Sequence, residues 1–187
     1  MHLPDETLPD PLWVFGYGSL MWNPGFAVAE QHIARVSGFR RGFCMRSVNY
    51  RGTAAAPGLV LALDAEEGAA CEGVAFRLKA GAQSEDFRVL REREMSESAY
   101  QERLVEARLA NGQVLQVLAY VISPDHALYC GGLCAEEQAQ IIAERAGNRG
   151  PNRDYLHNTV THLGELGISD PGLEALDARV RALCGET

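Results

Sequence analysis

Arg103-Leu104-Val105-Glu106-Ala107-Arg108-Leu109-Ala110-Asn111-Gly112-Gln113-Val114-Leu115-Gln116-Val117-Leu118-Ala119-Tyr120-Val121-Ile122 is the stretch on which the fold turns. Two strand-like runs flank Asn111-Gly112, the pair that best tolerates φ > 0 in a tight turn, so an antiparallel hairpin of 103–109 with 114–122 is predicted. Upstream, Leu12-Trp13-Val14-Phe15 is a short apolar run stopped by Gly16 and Gly18. Alternation and β-branched or aromatic content predict further strands near 32–37, 43–48, 58–63 and 71–78. No helix-length segment separates the strands before residue 84. That disfavours alternating β-α-β units and favours a mixed or antiparallel sheet able to close into a barrel.

Downstream the period changes. Residues 135–146 are helical by composition and stop at Gly147. Asn152 can cap a second helix with the apolar row Leu156, Val160 and Leu163, beside Tyr155 and Thr159. Asp170-Pro171 reads as a cap followed by a first-turn proline. It opens a third helix with Leu173, Leu176, Val180 and Leu183 on one stripe. Strands first and helices last predict an α+β fold, with the helices concentrated in the C-terminal third. Residues 1–11, with three prolines and no hydrophobic period, are expected to form a flexible tail. Residues 12–187 are expected to form a single domain.

Composition narrows the function classes. The 187 residues include 17 basic and 25 acidic side chains, a net charge of −8. This argues against a nucleic-acid partner, which calls for a basic face. No run of about 18 apolar residues suggests a membrane span, and the acidic start Met1-His2-Leu3-Pro4-Asp5-Glu6 lacks a signal-peptide pattern. Five scattered cysteines fit reduced thiols better than a disulfide framework, so the expected location is cytoplasmic.

Ser84-Glu85-Asp86 begins a predicted helix, since acids suit its positive end. At about 100° per residue, Phe87, Leu90 and Glu94 fall within roughly 60° of one another and Glu92 lies opposite. If Phe87 and Leu90 face the core, Glu94 is carried inward with them. A buried carboxylate must be paired, hydrogen-bonded or neutral, and desolvation moves its pKa towards the range of a general base. The competing reading is a carboxylate paired with Arg91 or Arg93, or a shifted helix with Glu94 in water.

Gly16-Tyr17-Gly18-Ser19-Leu20 follows a strand, and its glycines permit successive backbone N–H groups to face an anion or oxyanion. A dinucleotide fingerprint needs glycine where Met21 stands. A P-loop needs a Gly-Lys-Ser/Thr ending, which is absent. A hydrolase elbow needs glycines at 17 and 21 around Ser19, and neither is present. A plain turn between strands remains open. Cys130 and Cys134 lack a second ligand pair for zinc, and His157 and His162, five apart on a helix, diverge by about 140°, so no metal site is expected. Arg40, Arg41, Arg46 and Arg51 form a locally basic stretch, either paired with acids or suited to a substrate carboxylate. Tyr129, before Cys130-Gly131-Gly132, is either core packing or a hydroxyl turned into a pocket.

The run Trp13-Val14-Phe15-Gly16-Tyr17-Gly18-Ser19-Leu20-Met21-Trp22 resembles the opening of the ChaC-type γ-glutamylcyclotransferases, which act on glutathione. The resemblance continues through Arg51-Gly52, Pro57-Gly58-Leu59-Val60, Gly73-Val74-Ala75-Phe76-Arg77-Leu78, Arg93-Glu94, Tyr129-Cys130-Gly131 and Asn152-Arg153-Asp154-Tyr155-Leu156, in the family's order. It implies a small mixed β-barrel with flanking helices, no metal or organic cofactor, and glutathione as a small-molecule substrate. The implied reaction is internal aminolysis giving 5-oxoproline and cysteinylglycine. The implied catalytic glutamate falls on Glu94, and the implied substrate-holding strand and loop on Val14, Phe15, Gly16, Tyr17, Gly18, Ser19 and Leu20. Arg51 and Tyr129 are carried as further substrate contacts. Tyr50 departs from the histidine that relatives often place before Arg-Gly, and residues 95–100 lack a glycine pair found in some relatives. Other γ-glutamyl peptides or γ-glutamylamines as substrates, and a catalytically silent binding module, are the alternative expectations.

Overall fold

Trp13–Gly16 forms β1, buried along its whole length. In the computed structural model, which describes residues 2–79, 84–96 and 98–186, four more long strands follow. They are β2 (Val28–Ser47), β3 (Gly58–Leu78), β4 (Tyr100–Leu109) and β5 (Val114–Ile122). They close into a barrel in the order β1-β3-β2-β4-β5. β1 runs antiparallel to β3 from Trp13↔Arg77 to Gly16↔Val74 and parallel to β5 at Val14↔Leu118, which makes the barrel mixed. With the helices mostly after residue 134, the fold is α+β, as the sequence predicts.

The predicted hairpin is present, with Glu102 opposite Tyr120 and Arg108 opposite Val114. Its turn differs in detail. Leu109 accepts from Gly112 N–H at 2.9 Å and donates to Gln113 at 2.8 Å, closing a three-residue loop in which only Gly112 takes positive φ. Asn111 instead lends its side-chain oxygen to Gln113 N–H at 2.9 Å. A larger correction concerns the strands predicted separately at 32–37 and 43–48, and at 58–63 and 71–78. Each pair is one continuous strand. Gly38 and Gly68 sit inside them at φ 81° and 79°, so these glycines bend a strand as a bulge does and do not end it.

Two compact units divide the chain: Met1–Arg41 with Leu63–His126, and Gly42–Ala62 with Ala127–Thr187. β2 and β3 contribute residues to both. In the first unit, alternate residues of the strands, among them Phe15, Val36, Ala75, Ala107, Val117 and Val121, fill the barrel core. Helix α1 (Glu85–Met95) packs beside β4 and buries Phe87 and Leu90, each 1% exposed. Ser84 caps it, its hydroxyl accepting from Phe87 N–H. The stretch expected as a tail makes specific bonds: Leu3 N–H donates to Glu102, and Leu3 O and Asp5 accept from Arg91. Arg40 bonds Asp64, and Arg41 donates to the carbonyls of Tyr17 and Glu72, so this part of the basic stretch has internal partners.

The second unit holds α2 (Ala135–Glu144), α3 (Asn152–Glu165) and α4 (Pro171–Cys184), with α4 packed on both others. α2 ends two residues before the predicted 146, where Ala146–Gly147 leaves the helix to pair with Gly150–Pro151. Asp170 caps α4 through Leu173 N–H, with Pro171 in its first turn. Leu173, Leu176 and Val180 are buried, whereas Leu183 at the stripe's end is exposed. Asn152 is not a cap. It is fully buried, accepts from Leu59 N–H at 2.6 Å and donates to Leu59 O at 2.7 Å, pairing with that residue's backbone as a neighbouring strand would. Among the described residues, no helix is long and apolar enough to cross a membrane.

Candidate active site

The inward wheel position of Glu94 is realised. Its side chain is 15% exposed, against 63% for Glu92 on the opposite face of α1. Burial pushes its carboxyl above the ordinary range, and the smaller pull of the Arg93 charge acts the other way. Arg93 Nε stands 3.1 Å from Glu94 Oε1. Both alternatives posed by the sequence therefore hold together: Glu94 is paired with an arginine, and desolvation still prevails.

The glycine loop lies in the same unit. Gly18 precedes a single 3-10 turn, Ser19–Met21, in which Met21 N–H donates to Gly18 O and Asn23 N–H to Ser19 O. The turn brings Ser19 Oγ to 3.0 Å from Arg93 Nη2, and the carbonyl of Asn23 to 2.9 Å from Nη1. One guanidinium thus touches the carboxyl of Glu94, the hydroxyl of the loop and the backbone leaving it. The chain also passes tightly at the end of β1. A Cβ on Gly73 of β3 would lie 2.3 Å from Gly16 O, so only glycine permits this approach. Val14 and Phe15 are 0% exposed and engaged in the β1–β3 ladder. They lead directly into Gly16 to Leu20.

Two groups near Glu94 were not singled out from sequence. Tyr120 is fully buried in β5, its backbone carbonyl accepting the Tyr17 hydroxyl at 2.8 Å. Its own hydroxyl meets no hydrogen-bond partner among the described residues. Burial, then the charges of Glu102 and Glu94, hold that phenol well above its usual range, so it stays protonated. Glu102, opposite on β4, has a completely buried side chain held by two donors of Arg91 at 2.7 and 2.9 Å. The available signal was one hydroxyl and one acid facing each other in the β4–β5 register, visible only once the hairpin alignment is known.

Arg51 and Tyr129 belong to the second unit. Arg51 Nη1 donates to the carbonyls of Arg149 and Pro151, at 2.7 and 3.0 Å, and the guanidinium lies over the Tyr155 ring. Tyr129 bridges to Met45, and its ring and hydroxyl cover the α-carbon of Gly131. His157 pairs with Asp177, and His162 with Glu165. Among the described residues no three His, Cys, Asp or Glu side chains gather to hold a metal.

The fold is thus an α+β fold on a mixed barrel, and its candidate site is a desolvated carboxyl tied through an arginine to a glycine loop. The chain belongs to the ChaC-like protein family, whose pattern matches residues 12–183. It is 36% identical over 183 residues to the glutathione-specific γ-glutamylcyclotransferase of Escherichia coli K12, covering 98% of this chain and 77% of that one. Identity to γ-glutamylcyclotransferase 2-3 of Arabidopsis thaliana is 33% over 182 residues, covering 94% and 92%. The structure of a γ-glutamyl cyclotransferase specific to glutathione from yeast superposes with a TM-score of 0.83 at 25% identity, over 91% of this chain and 96% of that one.

Proposed function

We propose that this protein is a glutathione-specific γ-glutamylcyclotransferase with Glu94 as its general acid and base. An amino-acid α-amine is mostly protonated near neutrality and must lose a proton before it attacks. Glu94 takes that proton and releases it to water, then accepts the second proton that the nitrogen sheds as it bonds to the γ-carbonyl carbon and the five-membered ring closes. The C–N bond to cysteine then breaks, and Glu94 returns the proton to the departing amine. 5-Oxoproline and cysteinylglycine result. A carboxyl raised by burial suits both halves, since its proton affinity lies closer to that of the groups it serves.

Ring closure is already intramolecular, so the protein has chiefly to hold the γ-glutamyl chain folded. The loop from Gly16 to Leu20 does this in our reading, its backbone N–H groups stabilising the developing oxyanion, at about 3 kcal/mol per donor. The substrate is a dissolved tripeptide and the reaction cytoplasmic, a reading supported by five free thiols and by an acidic balance unfavourable to nucleic acid.

The single observation that carries the proposal is the buried Glu94 carboxyl tied through Arg93 to Ser19 of the loop. The test is mass spectrometry of products with glutathione as sole substrate, on the parent and Glu94→Gln. The parent yields 5-oxoproline, and the variant forms it at least about 100-fold more slowly. Near-normal turnover by the variant would remove Glu94 from the role. Products formed only from γ-glutamylalanine or γ-glutamyl-lysine would move the substrate assignment.

A further inference from the structure

We propose that Arg93 is a positioning residue that holds the Glu94 carboxyl and the Ser19 loop at a fixed distance and gives Glu94 its cationic neighbour. The inference rests on the cyclotransferase reading of the site and adds to it a residue that acts through the Glu94 carboxyl and the Ser19 loop.

The geometry argues it. Three nitrogens of one planar guanidinium meet three receivers: Glu94 Oε1 at 3.1 Å, Ser19 Oγ at 3.0 Å and Asn23 O at 2.9 Å. A solvated arginine in the last turn of a helix gains by facing the carbonyl end of the dipole, and that alone asks for no contact with a loop 74 residues away. The rigid fork of arginine gives several donors at fixed mutual angles, so a shift of the loop against α1 must break at least one bond. Room for the fork is kept by Gly25, where a Cβ would come to 3.3 Å from Nη1.

The electrostatic half follows from what surrounds Glu94. From β5, the neutral Tyr120 phenol is coupled to it. Opposite Tyr120 on β4, Glu102 is already held by Arg91. Arg93, from α1 itself, supplies the cationic pull that opposes desolvation at Glu94. Removing that charge leaves desolvation less opposed, so Glu94 holds its proton to higher pH. Removing the fork while keeping the charge loosens the loop and leaves the acidity nearly in place.

The experiment separates the two effects in the full-length chain. kcat and KM for glutathione are measured from pH 5 to 9 for the parent, Arg93→Gln, Arg93→Lys and Glu94→Gln, with thermal melts to verify folding. Arg93→Gln is expected to raise KM about tenfold, the scale of a modest misplacement. The acidic limb of its kcat/KM profile moves to higher pH. Arg93→Lys returns the limb to the parent position but keeps the raised KM, because one ammonium cannot hold three receivers. A merely structural arginine would lower the melting temperature and leave the limb unmoved.

Profiles and KM of both variants superimposing on the parent, while Glu94→Gln is inactive, would overturn this inference and leave the reaction assignment standing. Full activity in Glu94→Gln would instead remove the assignment itself. Should Arg93→Gln not fold, the lysine variant decides alone: an unchanged KM overturns the positioning role.

Discussion

The Tyr17 hydroxyl donates to the backbone carbonyl of Tyr120 at 2.8 Å, joining the glycine loop to β5 across 103 residues of chain. The two residues are 6% and 0% exposed, so the bond lies out of water and holds the loop from the barrel side. Tyr17→Phe keeps the ring and deletes the donor. The expected loss is about 1–1.5 kcal/mol, the usual net worth of a neutral hydrogen bond. In a chain of this length that lowers the melting temperature by about 2–4 °C in differential scanning calorimetry. KM for glutathione rises in the same variant, because the loop loses one of its side-chain anchors and keeps those from Arg41 and Arg93.

Glu94 makes folding pH-dependent in a direction opposite to most carboxylates. Its folded pKa lies above the ordinary 4.5, so the native state binds this proton more tightly than the unfolded chain does. The group therefore favours folding at low pH, and that advantage disappears as pH rises from 4.5 through the raised folded value. Above that range the cost of desolvating the ionised carboxylate is a burden on folding. Glu94→Gln should consequently melt at a higher temperature than the parent at pH 7, with the gap shrinking as pH falls towards 4.5. Melting curves across pH 4–8 read this directly, and a variant less stable than the parent at pH 7 would contradict it.

These two residues also mark how far local patterns reach. Glu94 was legible because a helix repeats every 3.6 residues, so Phe87 and Leu90 report where position 94 points. The hairpin was legible because Asn111-Gly112 and the flanking alternation agree. Where the sequence misled, the deciding partner lay far along the chain. Asn152 looks like a cap by its place before a helix, yet its amide answers to Leu59, 93 residues away. The strands predicted apart at 32–37 and 43–48, and at 58–63 and 71–78, are joined through Gly38 and Gly68, whose positive φ bends each strand without ending it. Tyr120 acquires meaning from the register of the hairpin, opposite Glu102, and Arg93 from a loop 74 residues away.

Asn152→Ala should be among the most damaging single changes in the second unit. The side chain occupies both the donor and the acceptor of Leu59, at 2.6 and 2.7 Å, in a fully buried position. Truncation leaves an N–H and a carbonyl buried without these partners, and each such group costs about 1–3 kcal/mol. A total near 3 kcal/mol is expected from urea denaturation with an unchanged slope. Asp at the same position keeps the acceptor but sets a carboxylate against Leu59 O at a fully buried site, so at pH 7 it should be at least as damaging as alanine.

The buried pair Arg91–Glu102 invites a double-mutant cycle. Arg91 also reaches Asp5 and Leu3 O and lies over the Phe87 ring at 4.7 Å, so α1, β4 and residues 3–5 meet on this one guanidinium. Arg91→Met abandons a carboxylate whose side chain is 0% exposed, and breaking such a pair costs about 3–5 kcal/mol. Adding Glu102→Gln removes the orphaned charge while an amide oxygen can still accept from Leu3 N–H, the contact seen at 2.8 Å. The double variant should therefore be more stable than Arg91→Met alone by at least about 1 kcal/mol in urea denaturation. Additive losses would show that the charge of Glu102 is balanced by something other than Arg91. Because α1 carries Glu94 one turn further on, the single variant should also lose turnover in step with its stability, and the double variant should regain part of both.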